Sequence, residues 1–353
     1  MYKIKKNIYN LKRISKKHDF FSHPNGIYLN RNERIVRFSK QTLNKVKSKI
    51  TSETLSLYPD FNSFYNKISN WLNIKESEIF LNEGVSGLVK SLFETFCDQG
   101  KSNVILPCPT FAMYEIFAKM YNVKIKKIKY DREYKINLND IFKAADKNTA
   151  LIILPNPNVP IEGFLDLIKI KQIINFCKKN KIMLVIDEVY YPFSALSSIK
   201  LFNKYKSNFI ILRSFSKAFG LAGIRLGYAI GAKKNINYLS KVRGGYETNN
   251  LSILAASALI DNYKQVSKYV NDIKSGLKFF QTKLKKLGLT YVGGNHGNYI
   301  FVNFKSKTQA SLIYNKLKKN KIYVRNGWPK PYDSGLLISG SNKKIMNEVS
   351  KVF

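Results

Sequence analysis

The stretch Arg213-Ser214-Phe215-Ser216-Lys217-Ala218-Phe219-Gly220 continues as Leu221-Ala222-Gly223-Ile224-Arg225. From Ser214 to Arg225 it gathers two hydroxyls, an amine and a guanidinium within twelve residues. Hydroxyl donors and a bidentate guanidinium suit a phosphate. A lysine in a mostly apolar run can have a lowered pKa and form an imine with a carbonyl. Read alone, Ser-x-Ser-Lys also describes a solvated loop. A second stretch, Ile182-Met183-Leu184-Val185-Ile186-Asp187-Glu188-Val189-Tyr190, closes an apolar run with an acid. Such an Asp is either a cap or turn residue or a carboxylate that keeps a ring nitrogen protonated. In the second case Tyr190, three residues on, donates to a phenolate-like oxygen. The third stretch is Phe80-Leu81-Asn82-Glu83-Gly84-Val85-Ser86-Gly87. It runs an apolar segment into a helical pattern through a glycine, and free N–H groups at a helix start bind phosphate. A plain strand–turn–helix reads the same way.

These residues need elements that bring them together. Short apolar runs recur at Ile79–Asn82, Asn103–Leu106, Val123–Ile128, Ala150–Leu154, Ile182–Ile186, Phe209–Leu212 and Leu226–Ile230. Several are nearly continuous Ile, Leu and Val, as in strands buried on both faces. Helix-length segments lie between them, such as Gly84–Gln99, Met113–Tyr121 and Leu165–Asn180. The alternation predicts an α/β domain with a mostly parallel sheet. Asp187 and Ser214 then fall at strand C-terminal ends, where open α/β sheets place their ligand clefts. After about residue 245 the pattern changes to one long helical stretch, Ser252–Leu287, then a strand pair at Leu289–Val292 and Tyr299–Phe304. A helix at Gln309–Lys318 and short strands at Ile322–Arg325 and Gly335–Ser339 follow. This predicts a smaller α+β domain. The expected organisation is an N-terminal arm (1–35) joining the small domain, a large ligand-binding domain (36–245) and a small C-terminal domain (246–353).

Composition narrows the function classes. Of 353 residues, 60 are Lys or Arg and 23 Asp or Glu, a net charge of +37. That invites a nucleic-acid reading. Against it, nine of the 60 are Arg, the residue that best reads phosphates and bases, and the lysines are spread along the chain. Lys, Asn, Ile and Tyr are abundant together, which fits a codon bias acting on surface positions. Cys97, Cys108 and Cys177 match neither a zinc site nor a disulfide framework. His18, His23 and His296 sit beside no Cys or His partner, so no metal is expected. No apolar run approaches the ~20 residues of a membrane span, and the basic N-terminus does not read as a signal peptide. A cytoplasmic enzyme is the expectation.

Taken together, the three stretches resemble the class I/II aminotransferases of fold type I, which use pyridoxal 5′-phosphate. The branch they resemble is that of histidinol-phosphate aminotransferase and threonine-phosphate decarboxylase. The resemblance runs from about Leu29 to near the C-terminus. Leu29-Asn30-Arg31-Asn32-Glu33 resembles the family's opening Leu-Asn-x-Asn-Glu, and Leu57-Tyr58-Pro59-Asp60 its Tyr-Pro-Asp segment. Pro109-Thr110-Phe111 falls where the family places an aromatic. The resemblance implies roles by position. Lys217 carries the cofactor as an imine and then shuttles a proton. Asp187 pairs with the pyridine nitrogen and Tyr190 with the ring's O3′, while Phe111 stacks on the ring. Ser214, Ser216, Arg225 and the helix start at Gly84, Val85 and Ser86 hold the phosphate. Tyr58 reaches the cofactor of a neighbouring subunit, which implies a homodimer.

Two positions depart from the family pattern. Its Asn-Pro-x-Asn-Pro-Thr-Gly run reads here Asn156-Pro157-Asn158-Val159-Pro160-Ile161-Glu162, so Val159 replaces an Asn that donates to O3′. Asn158 is the candidate substitute. The family's Leu-Arg-Ile reads Leu336-Leu337-Ile338, which loses an Arg that clamps a substrate carboxylate. Arg325 matches a family arginine for anionic substrate groups. The implied activity is amino transfer on a small anionic substrate, a phosphorylated one included. Decarboxylation of a phosphorylated amino acid is the alternative, and a cofactor-bound but catalytically weak, or nucleic-acid-binding, protein is the third reading.

Overall fold

The described chain comprises residues 3–12 and 24–353 of a computed structural model. Residues 1–2 and 13–23 of the expected N-terminal arm, with His18 and His23, lie outside the described residues. Strand β1 (Ile27–Tyr28) opens the second described stretch's regular structure. The apolar runs of the next two hundred or so residues each form a strand: β2 (Ile79–Asn82), β3 (Asn103–Cys108), β4 (Lys124–Lys129), β5 (Thr149–Pro155), β6 (Met183–Asp187), β7 (Phe209–Ser214) and β8 (Gly227–Gly231). They make one sheet in the order β2-β8-β7-β6-β5-β3-β4. All its pairings are parallel except those of β8, which runs antiparallel to β7 and β2.

Both faces of this sheet are covered, which is why its strands are apolar throughout. Val104, Leu106, Leu151, Ile153, Val185, Ile210 and Leu212 point to one face. There they meet α1 (Gly84–Phe96), α2 (Ala112–Met120) and α4 (Lys233–Lys241). Their neighbours Ile105, Ile152, Leu154, Leu184, Ile186 and Ile211 point to the other. On that face Ile170, Ile173 and Ile174 of α3 (Leu167–Lys179) pack against them. Each Ile or Leu so buried contributes roughly 1.5–3 kcal/mol. Edge strand β4 reads Lys-Ile-Lys-Lys-Ile-Lys, and its exposed charges discourage further strand pairing.

Parallel strands β5, β6 and β7 are neighbours and end on the same side at Pro155, Asp187 and Ser214. The chain beyond residue 245 covers that side. Strands β9 (Thr290–Gly293), β10 (Tyr299–Asn303) and β12 (Gly335–Ser339) form an antiparallel sheet in the order β12-β10-β9. Helices α6 (Tyr263–Lys286) and α8 (Lys343–Ser350) pack on each other, and α7 (Lys307–Lys319) leads to β11 (Ile322–Tyr323). Strand β11 pairs in parallel with β1.

Two expected elements differ. The single helix over Ser252–Leu287 is two, α5 (Asn250–Asp261) and α6, separated at Asn262, whose φ of −122° and ψ of 50° leave the helical region. An asparagine side chain competes for nearby backbone groups and favours such breaks. The strand expected over Ile322–Arg325 ends at Tyr323, and Arg325 instead bridges to Leu337.

Candidate active site

Where β5, β6 and β7 end, a cleft of about 350 Å³ opens beneath the second sheet. Its floor comes from the loop after β7. Ser214 Oγ accepts the backbone N–H of Ser216 at 3.0 Å, which turns the chain sharply. The buried rings of Phe215 and Phe219 then anchor the loop, in edge contact at 4.7 Å. Between them Lys217 points into the cleft, and its Nζ donates to the carbonyl of Arg31 at 2.9 Å. Loss of hydration lowers the Lys217 pKa to about 8, and the positive charges of Arg225 and Arg325 act in the same direction against Glu33. Near neutral pH part of this amine is unprotonated and nucleophilic.

Asp187 ends β6 and is 3% exposed. Its Oδ1 accepts the N–H of Val189 at 2.9 Å and its Oδ2 the hydroxyl of Tyr114 at 2.5 Å. Burial pushes its pKa up to about 6, with Glu188 adding to the rise and the Tyr114 and Val189 bonds opposing it. A carboxylate this buried calls for a proton or a cationic partner. Tyr190 lines the same wall. Its hydroxyl accepts from Asn32 Nδ2 at 2.8 Å, and burial raises its pKa far above the ordinary phenol range.

The third wall is a cradle. Gly84 opens α1 with φ of +68°, a left-handed conformation suited to glycine. A side chain there would also collide, since a Cβ would lie 2.9 Å from Arg225 Nη2. The backbone of Gly84 in turn presses on Gly227, where a Cβ would meet Gly84 C at 2.9 Å. Two glycines therefore let the guanidinium sit over the start of α1. Val85, Ser86, Ser214, Ser216 and Arg225 all face the cleft from this side. Backbone N–H groups, hydroxyls and a guanidinium around one point form an anion site.

Most residues singled out in the sequence thus line one cleft. Phe111 stands beside it, edge-on to Tyr114 at 5.7 Å. Asn158 lines it too, but its side chain is engaged. Its Nδ2 donates to Pro109 O and its Oδ1 accepts from Thr110 Oγ1, each at 2.7 Å. Val159 and Leu337 contribute apolar wall, and Arg325 lies next to Leu337, its guanidinium 4.5 Å over the Trp328 ring. Tyr58 is not in the cleft of its own chain. It is 78% exposed and stacked at 4.3 Å on Tyr246.

Asn32, Tyr114 and Glu162 join the site without a role assigned from the sequence. Tyr114 sits three residues after Phe111, which was the available hint. Glu162 is buried, and its carboxylate accepts backbone N–H groups from Gly294, Asn295, His296 and Gly297 at 2.6–3.3 Å. It holds the cleft-lining loop at 156–163 to the turn between β9 and β10. Tyr299 adds a bond to Asn158 O at 2.6 Å.

The site fits pyridoxal 5′-phosphate: an anion cradle, a buried acid for a ring nitrogen, a phenol and a partly deprotonated lysine surround one space. The family described as aminotransferase class I and II matches residues 25–337. Histidinol-phosphate aminotransferase 1 of Carboxydothermus hydrogenoformans is 31% identical over 302 residues, 85% of this chain and 84% of that protein. Histidinol-phosphate aminotransferase 2 of Oceanobacillus iheyensis is 30% identical over 329 residues, 91% of this chain and 88% of that protein. Among solved structures, histidinol-phosphate aminotransferase of Sinorhizobium meliloti in complex with pyridoxal-5′-phosphate superposes with a TM-score of 0.87 at 19% identity. That match covers 99% of this chain and 96% of the other. A Thermus thermophilus aspartate aminotransferase variant has a TM-score of 0.82 at 14% identity, over 100% and 99% of the two chains. These two likenesses show the shared fold type I architecture. The chain belongs to the class I and II aminotransferases, pyridoxal-phosphate-dependent enzymes, on the branch of the histidinol-phosphate aminotransferases.

Proposed function

We propose that this aminotransferase acts on a small phosphorylated amine of the histidinol-phosphate kind, with its cofactor held by the residues of the cleft described above. The observation that carries the reading is the meeting of Lys217, Asp187 and the Ser214–Ser216–Arg225 cradle in one cleft. Pyridoxal phosphate supplies an electron sink for a carbanion at the substrate carbon that bears the amine. In this reading Ser214, Ser216, Arg225 and the N–H groups of Val85 and Ser86 grip the cofactor phosphate, with Gly84 making room for the guanidinium. Asp187 holds a proton on the ring nitrogen, and Tyr190 donates to the ring oxygen. Phe111 covers one ring face. Lys217 Nζ binds the cofactor and moves the proton on and off the substrate carbon. Arg325 takes the substrate's anionic group, beside an apolar wall at Leu337.

Two supports bear on the substrate. The relatives named above carry histidinol phosphate in their names, and they are aminotransferases, which does not favour the decarboxylase alternative. Leu337 offers no charge to a carboxylate. A buried carboxylate without a cationic partner keeps its desolvation cost, so a phosphorylated amine lacking a carboxylate should be the preferred donor. The test presents the cofactor-loaded enzyme with histidinol phosphate, phosphoserine, glutamate and alanine in single half-reactions. The reading expects the visible cofactor band to bleach fastest with histidinol phosphate and to return with an oxo acid. Faster bleaching by glutamate, unaffected by Arg325→Ala, contradicts it.

The reading also includes a cytoplasmic homodimer. Among the described residues no helix is long and apolar enough to cross a membrane. Leu55, Leu57 and Tyr58 are 66%, 63% and 78% exposed, an apolar patch that a second copy would cover. A hollow of about 600 Å³ leads from this side to Ser86 and Arg225, with Tyr246 on its rim. A neighbour's Tyr58 entering it would reach the cradle. The proposed division is a large domain at 36–245 and a small one at 246–353, with the arm tied to the latter through the β1–β11 pairing.

A further inference from the structure

One hydrogen-bonded chain in the cleft wall runs from Ser339 through the Asn32 amide to Tyr190. The backbone N–H of Asn32 donates to Ser339 Oγ at 2.8 Å. Ser339 is fully buried, and its hydroxyl gives its proton to Asn32 Oδ1, 2.7 Å away. That oxygen is thereby the acceptor end of the amide, and Nδ2 is left facing Tyr190. An amide nitrogen only donates, so in the 2.8 Å contact Tyr190 Oη is the acceptor. A phenol carries one proton, and Tyr190 does not spend it on Asn32. Charged groups facing Tyr190 are Asp187 and Glu162 on the negative side and Arg325 on the positive. The Tyr299 ring lies 5.0 Å from the Tyr190 ring. The open direction is the cleft, which Tyr190 lines.

We infer that Asn32 is a positioning residue that makes Tyr190 an obligate proton donor toward the cleft. Its place in the chain supports such a task. Asn32 is 4% exposed with φ of +55°, and Asn298 Nδ2 donates to its carbonyl at 3.2 Å. The residue before it, Arg31, supplies the carbonyl that receives Lys217 Nζ. One bent segment, Arg31-Asn32, therefore contacts both groups. Val159 raises the stakes, because an apolar side chain cannot provide a second donor beside Tyr190.

The inference rests on the cofactor lying in this cleft, so two proteins serve as controls. If the parent lacks a visible cofactor band, or Lys217→Ala retains it, the site reading fails and not this one. With the band established, its pH midpoint is measured for Asn32→Gly and Asn32→Asp, each alone and combined with Tyr190→Phe. Glycine accepts the positive φ and removes the amide. Aspartate keeps the shape but offers only acceptors when ionised, and so draws the phenolic proton away from the cleft. Weakening a donor to the ring oxygen disfavours the band's deprotonated form. Asn32→Gly should then raise the midpoint by about one unit, and Asn32→Asp by more. In the Tyr190→Phe background the glycine change should do little, and the aspartate change should do less than in the parent. Equal shifts in both backgrounds, or no shift in either variant, would overturn the inference, since a residue that merely fills space acts independently of the Tyr190 hydroxyl. If the glycine variant fails to fold, the near-isosteric aspartate cycle decides by itself.

Discussion

Lys217 and Asp187 show how burial prepares two ordinary side chains for opposite tasks. Loss of water pulls the amine down to about 8 and pushes the acid up to about 6. The sign for the amine is direct. Below about 8 it is mostly protonated and cannot attack a carbonyl, and above it is mostly free. Uptake of pyridoxal phosphate by cofactor-free enzyme should therefore speed up as pH rises from 6 to 8 and level off above, as followed by stopped-flow absorbance. Val159 makes a second residue-scale case. Asn158 has its amide spent on Pro109, Thr110 and the Tyr130 hydroxyl, so it does not stand in for the missing donor. Val159→Asn should lower the pH midpoint of the cofactor band by about one to two units, as one charge-assisted bond of roughly 1.5–3 kcal/mol is restored. At this scale the chemistry was legible in the sequence where residues stand close in the chain, as in Ser214–Arg225 and Asp187–Tyr190. Asn32 to Tyr190 spans 158 positions and Tyr114 to Asp187 spans 73, so no spacing rule could pair them.

At the scale of elements, the strands were legible because their Ile, Leu and Val runs report burial on both faces. Their order in the sheet was not, since β8 enters between β2 and β7 from far along the chain. The break at Asn262 was hidden for a related reason: apolar periodicity reports which face is buried and carries on past a single non-helical residue. Glu162 is the element-scale contact with the largest expected cost. With a φ of +44° it holds the β9–β10 turn through four backbone N–H groups. Removing the carboxylate leaves those donors unpaired, that of Gly297 in a buried place, at ~1–3 kcal/mol for each that finds no water. Glu162→Ala should destabilise the enzyme by about 3 kcal/mol or more, read as a lower urea midpoint. It should also loosen the turn, read as faster amide exchange at 294–297. A variant as stable as the parent would show that the turn is held by other contacts, such as the Phe164–His296 stack at 3.8 Å.

The whole molecule carries a charge of +37, yet its site is that of a small-molecule enzyme. The lysines lie mostly on the surface, as in β4 and the last turns of α6 and α7, and cost little stability there. The apolar patch at Leu55, Leu57 and Tyr58 breaks this coat. The proposed dimer should appear as a mass of two chains in sedimentation at micromolar concentration, and a charged residue in place of Leu57 should shift it toward monomer and weaken cofactor retention. A parent that is monomeric while it holds the cofactor would contradict that arrangement.

The central claim, that Lys217 holds the cofactor in this cleft, has one direct measurement. Borohydride reduction of the loaded enzyme followed by peptide mass spectrometry should place the added pyridoxyl group on the peptide containing Lys217, with no such label in Lys217→Ala. A label of equal yield on another lysine, unchanged in Lys217→Ala, would contradict the account.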